Sequence, residues 1–367
     1  MSETTGTLPL AGLKVVEISF MESVCYAGVL LAQLGAEVIK IEPPGGDPVR
    51  HRAPFARGPD GADVSLAFEF LNAGKGSMVH DPTDAEAAWR TCALVEAANV
   101  VIIDHQTVAQ IGCALPERAP GQLRVFVGLY GGSPEKVVST SALTRLHAST
   151  SGYIIPADLD VTKRPAWSGP YIFECMHGVG LSVAVAAELA REEGGDVDYS
   201  LQAYGLWLDK LLFSRTSTSG VEIHRYTAPY PYGGNMACQD GYVSILVLEE
   251  HQWRGFCHMI DRPEWLDDER FTNGVLRNRN RAPLAEGLAR WCAARTVVEV
   301  LTVARKCDVP AGRCRSPQDV LDAKVATARA FFVERKTAFG TMRVPSLPFG
   351  PNLRGDVTVP SPPLGSK

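Results

Sequence analysis

The chain has 367 residues, 46% of them hydrophobic and 21% charged, with a formal net charge of -5. That is enough apolar material for one large or two ordinary domains with real cores. The mild acidity leaves no electrostatic footprint for nucleic acid or an anionic membrane, so small molecules and other proteins are the expected partners.

In chain order, LKVVEIS (13–19) predicts a strand, and VCYAGVLLAQLG (24–35) predicts a buried helix closed by Gly35. EVIKIE (37–42) is a second strand, ended by the turn residues PPGGDP. A helix near 64–71, a strand at GSMVH and a helix over 84–97 follow, then strands at NVVIID (99–104) and LRVFVGL (123–129). Strands separated by helices at this spacing predict a doubly wound parallel sheet, with its ligand crevice at the strand C-terminal ends. Helices are expected at about 138–151, 175–191 and 201–215, and a linker over 216–240. A second unit starts at Gly241 with the strand YVSILVL, helices near 250–260, 279–294 and 297–306, and the segment VPAGRC. The strand pair ARAFFVERKTAFGTMRVPSLP closes the fold, and the Pro- and Gly-rich tail is expected to lie extended on the surface.

The nine cysteines stand singly from Cys25 to Cys314, without a CxxC pair, and the eight histidines are scattered. Free thiols in a reducing cytoplasm are the expectation, with no metal site. With no uncharged apolar run of about 18 residues and no basic, apolar N-terminal leader, neither a membrane span nor a signal peptide is expected.

Few motifs carry chemistry. PPGGDP is a turn whose backbone N–H groups can approach a phosphate, but no GxGxxG or P-loop is present. GxSxG is absent, which disfavours a hydrolase nucleophile elbow. Cys175 and His177 lie two apart, so a shared helix would point them in different directions. Gly233, Gly234 and Asn235 in PYGGN form either a plain turn or a glycine flap over a site. GPYIFECMHG (169–178) sets Glu174 alone before a small-residue apolar helix. Its carboxylate is either a helix-start group that favours the macrodipole or a nucleophile or base in a partly desolvated pocket.

PLAGLKVVEIS, LLAQLGAEVIKIEPPGGDPVR, NAGKGS, GGDVDYSL, DGYVSILVLEEHQWRGFCHMIDRPEWLDDERF and VPAGRCRSPQDVL together resemble the family III CoA-transferases, a group that includes formyl-CoA transferase and α-methylacyl-CoA racemase. The resemblance implies an α/β fold: a Rossmann-like large domain (1–221 and 326–367) and a smaller α/β domain (222–325). It also implies two chains interlocked as a homodimer, with a CoA thioester as substrate. The family's catalytic aspartate lies five residues after one glycine and four before another; Gly169 and Gly178 bracket Glu174 in that way.

The chain departs from the family at three places. Glutamate replaces the aspartate, moving the carboxylate by about one methylene. The Ala-Gly-Pro that starts the first helix is Ser23-Val24-Cys25, preceded by Glu22. The Asn-Phe-Arg-Pro-Gly segment is Asp104-His105-Gln106-Thr107-Val108, and the neighbouring basic positions are Gln110 and Pro43. The resemblance assigns Ser23, Val24, Lys75, Asp104, His105 and Gln110 to cofactor binding, with weaker CoA binding expected where arginines are missing. The leading expectation is an enzyme acting on an acyl thioester with Glu174 as nucleophile. One rival is an acyl-CoA epimerase in which Glu174, with Glu22 or His177, moves the α-proton. Another is a divergent member that has lost CoA chemistry and takes a different or carrier-bound substrate, or only binds.

Overall fold

Short β-branched runs build the central sheet of the larger unit. In the computed structural model these are β1 (Lys14–Ile18), β2 (Glu37–Glu42), a small antiparallel ribbon of β3 (Phe55–Arg57) and β4 (Asp63–Ser65), and then β5 (Gly76–Val79), β6 (Val100–Ile103), β7 (Leu123–Gly128) and β8 (Gly195–Ser200). The described residues are 8–59, 61–131, 171–208, 217, 233–337, 339–348 and 356–367. Two compact units divide the chain: Met1–Ile223 with Thr327–Lys367, and His224–Ala326.

Six of these strands form one sheet in the order β5-β2-β1-β6-β7-β8, and every neighbouring pair is parallel. The order is that of a doubly wound dinucleotide-type sheet, and it reverses between β1 and β6. Helices α1 (Glu22–Gln33), α2 (Leu66–Leu71), α3 (Ala85–Ala97), α4 (His105–Ile111), α5 (Ile172–Leu189) and α6 (Leu201–Leu208) complete the unit's described helices. Strand periodicity explains the two cores. Val15, Val38, Val100, Ile102 and Val125 pack with Val24, Leu31, Leu181 and Val185 of α1 and α5. Their chain neighbours Val16, Ile39, Val101 and Ile103 pack on the other face with Val95 and Ile111 of α3 and α4. Because both faces are covered, the strands read as continuous apolar runs. Each such side chain contributes about 1.5–3 kcal/mol on full burial.

Local signals set the ends. Asp84 accepts from the Glu86 and Ala87 N–H groups and starts α3, while Gly35, at φ +104, releases the chain after α1. The helix expected over 175–191 begins at Ile172, behind Tyr171 in a left-handed conformation. By length and composition it is apolar enough to cross a membrane, although it carries Glu174, His177 and Glu188. The strand β8 and the helix α4 were not expected. β8 exposes Asp196 and Asp198, as an edge strand can, and α4 is short and capped by Asp104.

The expected strand pair forms a hairpin of Phe332–Thr337 and Gly340–Pro345. Its Arg335 is buried and donates to the carbonyl oxygens of Val357 and Glu69. The tail lies largely exposed, in line with the expectation, but it is anchored at a few points. Val357 and Ser361 are buried, Ser361 Oγ donates to Glu69 Oε1 at 2.8 Å, and the Lys367 N–H donates to the Ser77 carbonyl at 3.0 Å. The helix expected at 138–151, the end of the 201–215 helix and most of the 216–240 linker lie outside the described residues.

In the smaller unit, β9 (Gly234–Cys238), β10 (Gly241–Ile245) and β11 (Ala311–Arg313) form an antiparallel sheet in the order β11-β10-β9. Helices α7 (Glu250–Met259), α8 (Gly274–Arg279), α9 (Arg281–Ala293) and α10 (Val297–Lys306) surround a core of Val243, Ile245, Phe256, Leu284, Leu288 and Val300. A capping box starts α10: Glu299 N–H donates to Thr296 Oγ1 and Thr296 N–H to the Glu299 carboxylate.

Candidate active site

The reversal between β1 and β6 places two loops side by side at the strand C-terminal ends. The Asp104 N–H donates to the Ile18 carbonyl at 3.0 Å, and the Phe20 N–H to Thr107 Oγ1 at 3.1 Å. Residues 19–24 and 104–107, far apart in sequence, therefore meet where a doubly wound sheet holds its ligand.

Glu22 and Glu174 each stand in the first turn of a helix, α1 and α5. Gly178 lies against α1: a Cβ there would come 2.8 Å from the Ser23 carbonyl oxygen and 3.0 Å from Tyr26 Cβ. Glu174 is one turn earlier on the same face, so the two acids open adjacent helix ends, where the macrodipoles favour negative charge. Arg52 is ion-paired with the buried Glu22. Burial pushes the half-buried Glu174 carboxyl above its ordinary range, and its own backbone N–H and the Arg52 charge pull the other way. Burial and the Glu174 charge hold the Cys175 thiol at about 12, so it is no competing nucleophile near neutral pH. Burial also raises the Tyr171 phenol, against the pull of Arg52. The arrangement can present a carboxylate of raised basicity, suited to attack on an activated carbonyl or to proton transfer.

Beneath α1 lies a buried network of charges. Glu17 takes Lys40 Nζ at 2.8 Å on one oxygen and Lys75 Nζ at 2.7 Å on the other. Lys40 also pairs with Asp47 at 2.7 Å and donates to the Ser19 carbonyl. Lys75 also donates to the Cys25 carbonyl and to Asn72 Oδ1. Burial would raise the Glu17 carboxyl, yet the two ammonium groups together bring it down to about 2. Gly28 makes room for this network, since a Cβ there would overlap Glu17 and approach Lys75 within 2.9 Å.

The other expected site residues are distributed unevenly. Lys75, expected to bind cofactor, directs its three donors to Glu17, the Cys25 carbonyl and Asn72 in this structure. Ser23 and Val24 are fully buried, backbone and side chain alike. Asp104 is turned inward as the cap of α4, accepting from the Gln106 N–H and Thr107 Oγ1, and burial raises its carboxyl. His105 is half-buried and stacks on Phe126 with centroids 5.1 Å apart, while Gln110 is exposed. His177 is buried and tilted against Tyr204, and its carbonyl accepts from the Tyr199 hydroxyl. In the smaller unit, Gly233 and Gly234 take φ of +105 and +95, and Gly234 and Asn235 pair with Ile245 and Ser244. Gly234 and Asn235 thus open β9, with Gly233 just before it; a Cβ on Gly233 would press on the Ile245 carbonyl at 2.6 Å. Among the described residues no three His, Cys, Asp or Glu side chains converge as a metal site. Arg52 and Tyr171 were missed; the available signal was the basic run Arg50-His51-Arg52 behind PPGGDP, facing an acid, Glu22, that needed a partner.

A doubly wound sheet with a half-buried acid at a helix start defines a class of α/β enzyme-like folds rather than one activity. The family model for CoA-transferase family III matches residues 10–367, and the chain belongs to that family. It is 26% identical to the succinyl-CoA:mesaconate CoA-transferase of Haloarcula hispanica over 85% of this chain and 82% of that one. It is also 26% identical to the succinate–glutarate CoA-transferase of Agrobacterium fabrum, over 97% and 93% of the two chains. Its fold is that of a CAIB/BAIF family protein from Brucella suis, at a TM-score of 0.81 and 23% identity, covering 98% of this chain and 97% of that one.

Proposed function

We propose that this protein moves CoA from an acyl-CoA to a second carboxylic acid, with Glu174 as the covalent nucleophile. The observation that carries this reading is the half-buried Glu174 at the start of α5, its basicity raised by burial, beside the switch-point loops. The carboxylate attacks the thioester carbonyl, giving a mixed anhydride and CoA thiolate. The thiolate then takes the glutamyl carbonyl, releasing the first acid and leaving a glutamyl thioester. A second carboxylate attacks that thioester, and the thiolate returns to the new acyl group, freeing Glu174.

The relatives named for succinate, mesaconate and glutarate make small dicarboxylic acids and their CoA esters the substrates to try first. The CoA nucleotide is expected to be held weakly, because Lys75 is occupied internally and His105 and Gln110 stand where the family resemblance implies basic groups. The protein is further proposed to act as a homodimer. Ile172, Val179 and Val183 of α5 and Trp207 of α6 are exposed, and Val179 and Val183 line an apolar groove of about 470 Å³ with Tyr26, Val29, Phe331 and Leu347. A patch of this kind on a folded chain marks an association surface.

Incubation with succinyl-CoA, followed by hydroxylamine or borohydride trapping and mass spectrometry, tests the chemistry. An adduct confined to Glu174 supports it. Deuterium exchange at the substrate α-carbon without an adduct would make the protein an epimerase instead, and neither signal would indicate lost CoA chemistry.

A further inference from the structure

Glu174 is drawn two ways: burial opposes its ionisation, yet only the ionised carboxylate attacks a thioester. A half-buried nucleophile of this kind needs a fixed opposing charge. The elements around it supply several polar groups. α1 contributes Glu22 and Tyr26, and α5 itself contributes Cys175 and His177, with Tyr171 just before it. α2 contributes the apolar Phe68, Phe70 and Leu71, which pack with Tyr26 and Tyr171. The segment after the Pro48–His51 turn contributes Arg52, the cation that acts on both Glu174 and Tyr171.

Two features fix Arg52 in place. Its guanidinium is paired with Glu22, which is itself anchored in the first turn of α1. Its carbonyl accepts from Ser65 Oγ at 2.6 Å, and that hydroxyl also caps α2. The cation is therefore held from both ends, backbone and side chain, at the α1 helix start against which α5 packs through Gly178, one turn after Glu174.

We infer that Arg52, pinned by Glu22, is the positioning residue that supplies the counter-charge for the Glu174 carboxylate. Glu22 is then neither a proton-sharing partner nor a second catalytic acid. It tunes Glu174 at one remove, by orienting Arg52 and compensating part of its charge. The inference rests on the reading of Glu174 as nucleophile, but the counter-charge can be measured without the reaction.

The signs follow from charge. Removing the guanidinium leaves burial unopposed, so Glu174 ionises at higher pH. Removing the Glu22 charge leaves the guanidinium less compensated, so Glu174 ionises at lower pH. The experiment is a carbon-13 titration of the glutamate carboxyls, with the Glu174 signal assigned by its loss in Glu174→Gln. Alongside it runs the pH dependence of single-turnover adduct formation with succinyl-CoA. Arg52→Gln is expected to move the Glu174 midpoint up by at least about half a pH unit, and Glu22→Gln to move it down. Arg52→Lys keeps the charge and should hold the midpoint within about 0.2 units of the parent. The acid limb of adduct formation should move in step. A Glu174 midpoint unchanged in Arg52→Gln, or displaced equally in Arg52→Lys, overturns the inference. If Arg52→Gln does not fold, an upward or absent shift in Glu22→Gln does the same. Expected midpoints without any wild-type adduct would uphold the counter-charge and overturn the transferase reading.

Discussion

Gly178 of α5 rests against the carbonyl oxygen of Ser23 in α1, with room for a hydrogen and not for a methyl group. That contact sets how closely the two helix starts approach, and with them Glu174 and Glu22. Gly178→Ala would place a Cβ 2.8 Å from a backbone atom that cannot turn aside. The expected cost is about 1–3 kcal/mol of stability, read from thermal or denaturant unfolding. Unchanged stability would show that α5 can slide on α1.

Glu174→Gln keeps the size of the side chain and removes the charge. Acyl transfer should fall by at least ~10²-fold with the melting temperature preserved. Glu174→Asp should also be slower, because it withdraws the carboxylate by about one methylene from its attack position. Near-parental rates in Glu174→Gln would return the residue to a helix-start role.

The Glu17 network makes acid stability legible. Its carboxyl is held at about 2 in the folded chain against an ordinary 4.5. A depressed folded value stabilises the protein above pH 4.5 and loses that contribution as pH falls toward 2. The loss is on the order of 3 kcal/mol, measurable as a falling unfolding midpoint over that window. Lys75→Met should cost about 3–5 kcal/mol at neutral pH, since it leaves a buried carboxylate short of one partner.

Free CoA should bind with a dissociation constant no tighter than ~10 μM, about −7 kcal/mol. Calorimetric titration at two salt concentrations checks this. Nanomolar, salt-sensitive binding would mean that guanidinium or ammonium groups other than Lys75 hold the phosphates.

Light scattering should give the parent a mass twice its 39.6 kDa. Val183→Glu, which places a charge on an exposed apolar face of α5, should shift the population toward single chains. A monomeric parent would refute the dimer.

The sheet was readable because its strands are buried on both faces. Val15-Val16 and Ile102-Ile103 leave no polar alternation to confuse them with a helix face. β8 escaped notice because Asp196 and Asp198 interrupt its apolar pattern at the sheet edge. The position of Glu174 at a helix start was legible in GPYIFECMHG, since an isolated acid before small apolar residues has few other uses. Arg52 was not, because its significance comes from a contact across 30 positions of chain, between Glu22 and the segment after β2. The surroundings of Lys75 were equally hidden, because Glu17, Cys25 and Asn72 come from separate parts of the chain or from the turn's own fold.

Residues 365–367 act on the rim of the sheet. β5 is an outermost strand, and an uncovered strand invites pairing with another molecule. Here the Ser77 N–H meets Ser366 Oγ, the Ser77 carbonyl takes the Lys367 N–H, and the Lys367 ammonium reaches Glu37. Residues 365–367 thus serve as a stopper on an otherwise adhesive border. Gly76 keeps that seam narrow, since a Cβ there would lie 2.8 Å from the lysine stem, so Gly76→Ala would press residues 365–367 off the border. Clumping of that variant would then reflect an unsealed border and say nothing of Glu174.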